Sequence, residues 1–235
     1  MAVQIDQFAI RAGRSSDRVS ALFERAYGIS PDSVRNGTGR ETFDAIRLLE
    51  IADPAQYEPE HGADYPRSPF GQALRQIAQL TKANVGLEVA FADVGRWDTH
   101  VNQGAAQGQL ASRLDDFARS IAALVSDLGD RMADTVVLTM SEFGRAVKEN
   151  GNRGTDHGHG NAMLVIGGGV GGGRVYGAWP TLDVDRRYDG RDLAVTTDFR
   201  DVFAEIVVRH LGVGDARAIF PGYRVSAARF AGLFA

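Results

Sequence analysis

Apolar residues in the first 83 positions recur at the three- and four-residue spacing of amphipathic helices. One such stripe ends at Gly28, and a second ends at Pro54. A loop rich in proline and acidic residues follows, and a third helix is predicted from about Pro69 to Ala83. We therefore expect the N-terminal third of the chain to be helical.

The pattern changes after Asn84, where predicted strands alternate with predicted helices. A helical stripe covers residues 110–128, and a final helix, capped by Thr197 or Asp198, stops at Gly212. Apolar and smaller or polar residues alternate in the first predicted strand, whereas the other two are short apolar runs. The three predicted strands are residues 85–91, 135–140 and 162–166.

Strands that alternate with helices favour an α/β fold with a sheet covered on both faces. The run at 135–140 is apolar and rich in β-branched residues, which is typical of a buried strand in a parallel sheet. The sequence thus predicts a three-layer αβα architecture with a mainly parallel sheet.

Composition excludes several classes of protein. Apolar residues make up 44% of the chain and charged residues 24%, as in ordinary globular proteins. The net charge is −4 and no long block of one sign occurs, so nucleic acid is not an expected partner. No stretch reaches transmembrane length, and no secretory leader is recognisable. Cysteine is absent, so any metal ion must use nitrogen and oxygen ligands.

Acidic residues and histidines concentrate in three loops next to the predicted strands, where ligands bind in open α/β sheets. Residues i and i+2 of an extended chain point to one side, so Asp98 with His100, and His157 with His159, each present two side chains together. This ligand set suits zinc, manganese or iron(II). The alternative is that these residues only cap turns and face water. The candidate metal ligands are Asp98, His100, Glu142, Asp156, His157 and His159.

The glycine run at residues 167–173 contains the G-x-G-x-x-G spacing of dinucleotide-binding loops. Residues 174–180 are a poor start for the helix that such a loop requires, so we interpret the run as a turn and expect no nucleotide cofactor. Ser141 lacks the G-x-S-x-G elbow of serine hydrolases.

Three long motifs, WDTHVNQ, TVVLTMSEFGR and GTDHGHGNAMLVIGGGVGGGRVYG, resemble the domain-of-unknown-function family 1501. The resemblance extends from about Tyr65 to Leu211. It implies an alkaline phosphatase-like fold and a place in the alkaline phosphatase and sulfatase superfamily, whose members use two metal ions to cleave phosphate or sulfate esters. Members of that superfamily are often exported, so the resemblance implies an exported or periplasmic protein.

The same resemblance assigns roles to individual residues. Asp98 and His100 fill the first ligand position, Glu142 the acidic place of the second, and His157 or His159 the third. Phe143 stands where the superfamily usually has histidine. Arg145 is either an anion-binding side chain that holds a substrate oxygen or a surface arginine.

The beginning of the chain departs from the superfamily pattern, which starts with a strand that ends in a metal-binding acid and continues to the nucleophile. We therefore interpret residues 1–235 as one alkaline phosphatase/sulfatase-like domain that is the C-terminal portion of a longer member. Two functions remain open: a metal-dependent hydrolase-like protein for small phosphate or sulfate esters, inactive if the nucleophile is missing, or a non-catalytic metal- or partner-binding module of the cell envelope.

Overall fold

A computed structural model describes residues 56–234 together with Arg25. Of the helix predicted to end at Gly28 it describes only Arg25, which is helical, and the helix predicted to end at Pro54 lies outside the described residues. The described chain divides into two compact units. The first contains residues up to Gly95 together with Asp116–Gly129, and the second contains Arg96–Asp115 and the residues from Asp130 onward.

Two predicted helices are confirmed. Helix α1, Pro69–Lys82, begins after Ser68, whose hydroxyl oxygen accepts a hydrogen bond from the Gly71 amide at 3.0 Å. Proline at the first helical position suits this start because its missing N–H has no helical partner there. Helix α2, Gln109–Leu128, coincides with the predicted stripe.

The first unit is built on the apolar faces of α1 and of the part of α2 from Asp116 onward. The rings of Phe70 and Phe117 stack with their centroids 5.5 Å apart. The buried apolar residues of the unit are Tyr65, Phe70, Ala73, Leu74, Ala78, Ile121, Ala123, Leu124 and Leu128.

Asp127 is a fully buried carboxylate inside this unit. Its oxygens accept hydrogen bonds from the Tyr57 hydroxyl at 2.5 Å, the Tyr65 hydroxyl at 2.8 Å and the Glu60 amide at 2.8 Å. The Lys82 ammonium group forms an ion pair with it. The charge of Asp127 is therefore compensated on several sides, as a buried charge requires.

The second unit contains two small antiparallel sheets. Strand β1, Val136–Leu138, pairs with β4, Val165–Gly167, so that Val137 lies opposite Ile166. Strand β2, Gly144–Arg145, pairs with β3, His157–Gly158. These short ladders are the only strands among the described residues.

The predicted three-layer αβα fold with a mainly parallel, alkaline phosphatase-like sheet is therefore wrong for the described residues. The runs at 135–140 and 162–166 do contain strands, but β1 and β4 run antiparallel. A parallel pair needs a crossover, usually a helix, whereas the chain between β1 and β4 contains β2, β3 and irregular segments. The residue types predict where strands form but not whether two strands pair in parallel or antiparallel orientation.

The strand predicted at residues 85–91 is also absent, because this segment has no partner to form a ladder. Its alternating side chains remain in solvent, with Val89 71% and Phe91 80% exposed. Alternation of apolar and polar residues alone does not make a strand when no neighbouring strand supplies hydrogen bonds.

Helix α3, Phe199–Arg209, confirms the last predicted helix, with Asp198 as its N-cap. The Asp198 carboxylate accepts a hydrogen bond from the Arg200 amide at 2.9 Å. The helix buries Val202 and Ile206 against Leu233 in the core of the second unit. Partly buried residues around this core are Val136, Leu138, Met163, Val165, Tyr176, Ala231 and Phe234.

Glu205 of α3 ties the C-terminal segment of the described chain to this core. The buried Glu205 carboxylate accepts hydrogen bonds from the amides of Gly232 at 3.1 Å and Leu233 at 2.6 Å. Short 3₁₀ helices connect the remaining segments, at Gly129–Asp134, Val184–Arg186, Ala216–Ala218 and Ala227–Arg229.

The glycine run forms a turn after β4, and no helix follows it within residues 174–180. The Gly168 amide donates to the Met132 carbonyl at 2.8 Å, and a Cβ on Gly168 would overlap Ala133. The run thus permits a close backbone contact. Among the described residues no helix is long and apolar enough to span a membrane.

Replacement of Asp127 tests the buried network of the first unit. Asp127→Asn leaves the Lys82 ammonium without its buried counter-charge, so we expect the free energy of unfolding to fall by about 3–5 kcal/mol at pH 7. Urea denaturation measures this loss. Asp64→Asn is the control, because the Asp64 side chain is 91% exposed and its ion pair with Arg119 spans 3.9 Å; an equal loss in both variants would contradict the prediction.

The stability difference between the wild-type protein and Asp127→Asn should also depend on pH. Burial raises the pKa of Asp127, but hydrogen bonds from Lys82, Tyr57 and Glu60 outweigh burial and hold the pKa below the ordinary value of 3.8. The stabilisation is thus complete above the ordinary pKa and is lost as the pH falls through the lower folded pKa. Urea titrations at pH 7 and pH 3 should show the wild-type advantage over Asp127→Asn shrinking at pH 3.

Candidate metal centre

Asp98, His100 and His157 form a cluster at the surface of the second unit, with one potential ligand atom of each residue within 4.8 Å of the others. Oδ1 of Asp98 lies 2.9 Å from Nε2 of His100 and 2.7 Å from Nε2 of His157. The two imidazole rings are 4.8 Å apart. A single carboxylate oxygen therefore joins two imidazoles, and we call these three residues the Asp98 cluster.

A second carboxylate lies behind the cluster. Oδ1 of Asp156 is 3.1 Å from Nδ1 of His100, the ring nitrogen that faces away from Asp98. The hydrogen bond from His157 lowers the pKa of Asp98, and the hydrogen bonds from Asn150 and His100 lower the pKa of Asp156. Both carboxylates thus favour the ionised form that binds cations.

Two loops, residues 97–103 and 150–157, supply these side chains. Their backbones are joined by hydrogen bonds from the Asn102 amide to the Asn152 carbonyl at 3.0 Å and from the Gln103 amide to the Arg153 carbonyl at 2.9 Å. The Gln103 side-chain oxygen accepts from the hydroxyls of Thr99 at 2.8 Å and Thr155 at 2.6 Å. These hydrogen bonds therefore fix the two loops to each other, although no long β-ladder joins them.

Gly154 makes this arrangement sterically feasible. A Cβ on Gly154 would overlap the carbonyl group of His100 and the carbonyl oxygen of Thr99. Because glycine has no Cβ, the two backbones approach closely at this point. The position of the His100 backbone therefore depends on the residue type at position 154.

Strand pairing places His157, because β2 and β3 set this residue opposite Arg145. The Phe143 ring stacks on the imidazole of His157 with centroids 4.2 Å apart. Phe143 thus orients a potential ligand in this structure.

Arg145 is engaged with the backbone on both sides of the cluster. Its guanidinium group donates to the carbonyl of Thr155 at 2.6 Å and to the carbonyl of Trp97, and lies 3.5 Å from Oδ1 of Asp98. It also lies over the Phe143 ring. The structure therefore places Arg145 as a connection between the two loops.

Besides Asp156, two further predicted ligands, His159 and Glu142, lie outside the Asp98 cluster. The imidazole of His159 contacts the fully buried Asp192 at 3.3 Å through Nδ1 and packs on the Tyr188 ring at 4.1 Å. Glu142 is exposed in the segment between β1 and β2. The structure thus brings together Asp98, His100, Asp156 and His157, and separates His159 and Glu142 from the metal-ligand cluster.

Sequence reasoning missed three residues near the site: Asn150, Arg191 and Asp192. Arg191 donates to the His157 carbonyl at 3.3 Å, and its side chain remains 58% exposed. Asp192 also accepts a hydrogen bond from the His159 amide at 2.9 Å. All three lie in irregular segments where no hydrophobic period marks them, and the only signal was the turn-forming composition around them.

Two of the three separations between donor atoms in the Asp98 cluster are close to those found around a divalent cation. Metal–ligand bonds of about 2.0–2.2 Å place neighbouring ligand atoms about 3.0 Å apart around an octahedral ion and slightly farther apart around a tetrahedral one. The separations of 2.7 and 2.9 Å around Asp98 Oδ1 need only a small expansion to reach these values. The carboxylate behind His100 is the outer partner that metal-binding imidazoles commonly have.

A comparison with protein families confirms the predicted family: the model described as "Protein of unknown function (DUF1501)" matches residues 27–218. The match begins well before the motifs that suggested it. No curated protein and no solved structure matches the chain significantly.

The backbone contact at Gly154 predicts the effect of one added methyl group. Gly154→Ala should push the His100 backbone away from residue 154 and destabilise the protein by about 1–3 kcal/mol, as overpacking does. Thermal unfolding measures the loss, and the NMR signals of the His100 ring report the displacement. Gly151→Ala is the control, because a Cβ there meets nothing within 4 Å; equal behaviour of the two variants would refute the prediction.

Proposed function

Because the chain belongs to the DUF1501 family, whose description names no activity, we propose its function from the Asp98 cluster. The protein is a metal-dependent, hydrolase-like protein that binds small phosphate or sulfate esters. Asp98, His100 and His157 hold one divalent ion, and Asp156 supports His100 from behind. The convergence of two imidazole nitrogens on one carboxylate oxygen carries this proposal.

The ligand set restricts the metal. One carboxylate and two imidazoles suit zinc, manganese or iron(II), and no thiolate is available in the chain. Asp98 and His157 are exposed and His100 is half-buried, so a small anion can reach the cluster from solvent. Three protein ligands also leave coordination positions free for such an anion.

A bound divalent ion would polarise a phosphoryl or sulfuryl oxygen and stabilise the negative charge that develops on it. Among the chain's own residues, Arg191 is better placed than Arg145 to hold a second substrate oxygen. Arg145 is largely committed to the carbonyls of Trp97 and Thr155, whereas Arg191 keeps more than half of its side chain in solvent beside His157.

The hydroxyl groups of Thr99 and Ser141 are both engaged in hydrogen bonds and do not face the cluster freely. The Thr99 hydroxyl is buried and donates to Gln103, and the Ser141 hydroxyl donates to the Phe143 carbonyl. This observation favours slow turnover, and it also supports the second candidate function, a non-catalytic metal-binding module. From the motif resemblance we also propose that the protein belongs to the alkaline phosphatase and sulfatase superfamily and that it is exported.

Metal binding is the direct test of the site. Zn²⁺ or Mn²⁺ at a hundredfold excess over Kd should stabilise the wild-type protein by about 2.7 kcal/mol, because an ion that binds only the folded state adds RT ln(1 + [L]/Kd). His100→Ala and His157→Ala should lose most of this gain. The control is His61→Ala, which alters an exposed histidine in the first unit. Melting curves that no metal shifts relative to EDTA would refute the site.

Ester hydrolysis tests whether the protein is a full hydrolase. We expect the metal-loaded protein to turn over an aryl phosphate or aryl sulfate slowly or not at all, since no positioned nucleophile accompanies the candidate metal ligands in the part of the chain that the structure describes. Release of the phenol, followed by absorbance, measures this rate. Rapid turnover that EDTA and Asp98→Asn both abolish would contradict the expectation and establish a full hydrolase.

A further inference from the structure

Asn150 uses the full hydrogen-bonding capacity of its side chain, two donors and two acceptor positions, between the two loops of the site. Its Oδ1 accepts from the amides of Asn152 at 2.9 Å and Gly154 at 3.1 Å. Its Nδ2 donates to the His100 carbonyl at 3.1 Å and to Oδ1 of Asp156 at 3.0 Å. One amide thus shapes its own loop and contacts the opposite one.

We propose that Asn150 is a positioning residue of the metal site and acts on His100 through Asp156. The inference rests on the proposed function, because it concerns the same ion. Oδ1 of Asp156 is shared: Asn150 Nδ2 and His100 Nδ1 both contact this atom. The Asn150 amide therefore fixes the oxygen that orients the imidazole and directs its Nε2 toward Asp98.

The contact of Asn150 with the His100 carbonyl adds a second constraint on the same ligand. The backbone and the ring of His100 are both held by groups bonded to Asn150, so the position of Nε2 follows that of the amide. Outer partners of this type commonly contribute a factor of 10–100 to metal affinity.

The two ends of the Asn150 side chain can be separated by substitution. Asn150→Asp keeps the oxygen that accepts from Asn152 and Gly154 and so keeps the shape of the loop. It removes the donor and places a second carboxylate oxygen against Asp156, which should rotate away and release His100. The contribution of Asn150 to the shape of its own loop is preserved in this variant.

The experiment is titration with Co²⁺, followed by its visible absorption, of the full-length wild-type protein, Asn150→Asp, Asp156→Ala and the double variant. We expect Asn150→Asp to weaken binding 10–100-fold and to alter the spectrum of the bound ion. In the Asp156→Ala background, Asn150→Asp should weaken binding by a clearly smaller factor, because only the contact with the His100 carbonyl remains to be lost. Asn152→Ala, a change in the same loop that leaves the backbone contacts, is the control.

Each outcome decides the proposal. Wild-type binding with a Kd for Asn150→Asp within twofold of it would overturn the positioning role while leaving the metal site intact. Equal losses from Asn150→Asp in both backgrounds would also overturn it, because the effect would then bypass Asp156. Absence of saturable Co²⁺ binding by the wild-type protein would refute the proposed function, and the positioning role with it.

Discussion

Buried carboxylates that accept backbone N–H groups fix the irregular chain at three places in the described structure. Asp127 accepts the Glu60 amide, Asp192 the His159 amide, and Glu205 the amides of Gly232 and Leu233. Strand ladders among the described residues are only two or three residues long, so loops must satisfy their amides in other ways. A buried charge is costly unless it is compensated, and these charges therefore permit few alternative arrangements of the loops around them.

At the Asp98 cluster, by contrast, the carboxylates lie exposed at the surface. Two imidazoles lie beside one carboxylate, and a second carboxylate supports the imidazole of His100 from behind. Arg145 and Arg191 lie next to these side chains, but neither forms a close bidentate ion pair with their carboxylates. The rigid, buried carboxylates thus hold the framework, whereas the exposed ones remain accessible to an ion.

Local signals in the sequence predicted the helices, and non-local pairing accounts for the errors. Ser68 and Asp198 mark helix starts because their side chains cap the first amides, a contact within three residues. The β-branched run around Val136 indicates a strand, but its partner's direction depends on the path of residues 139–164. The alternation at 85–91 had no partner to make it a strand.

The candidate site shows the same difference between local sequence signals and contacts made by residues far apart in the chain. Spacing by two residues in Asp98-x-His100 and in His157-x-His159 marked these residues as candidate ligands, and the close contact of two loops brings Asp98, His100 and His157 together. His159 shares the spacing but lies beside Asp192, which is 33 positions away in the sequence. No sequence pattern predicted this partner. Asn150 was missed for the same reason, because its role arises from contacts across the loops.

The attachment of Glu205 to Gly232 and Leu233 also imposes an order on biosynthesis. The acceptor is translated 27 residues before the first of its donors, which corresponds to about 1–5 s at 5–20 residues per second. During this interval α3 exists without the Leu233 side chain that covers Val202 and Ile206. Until these residues are translated, Val202, Ile206 and the Glu205 carboxylate lack the partners that Gly232 and Leu233 supply in the folded protein.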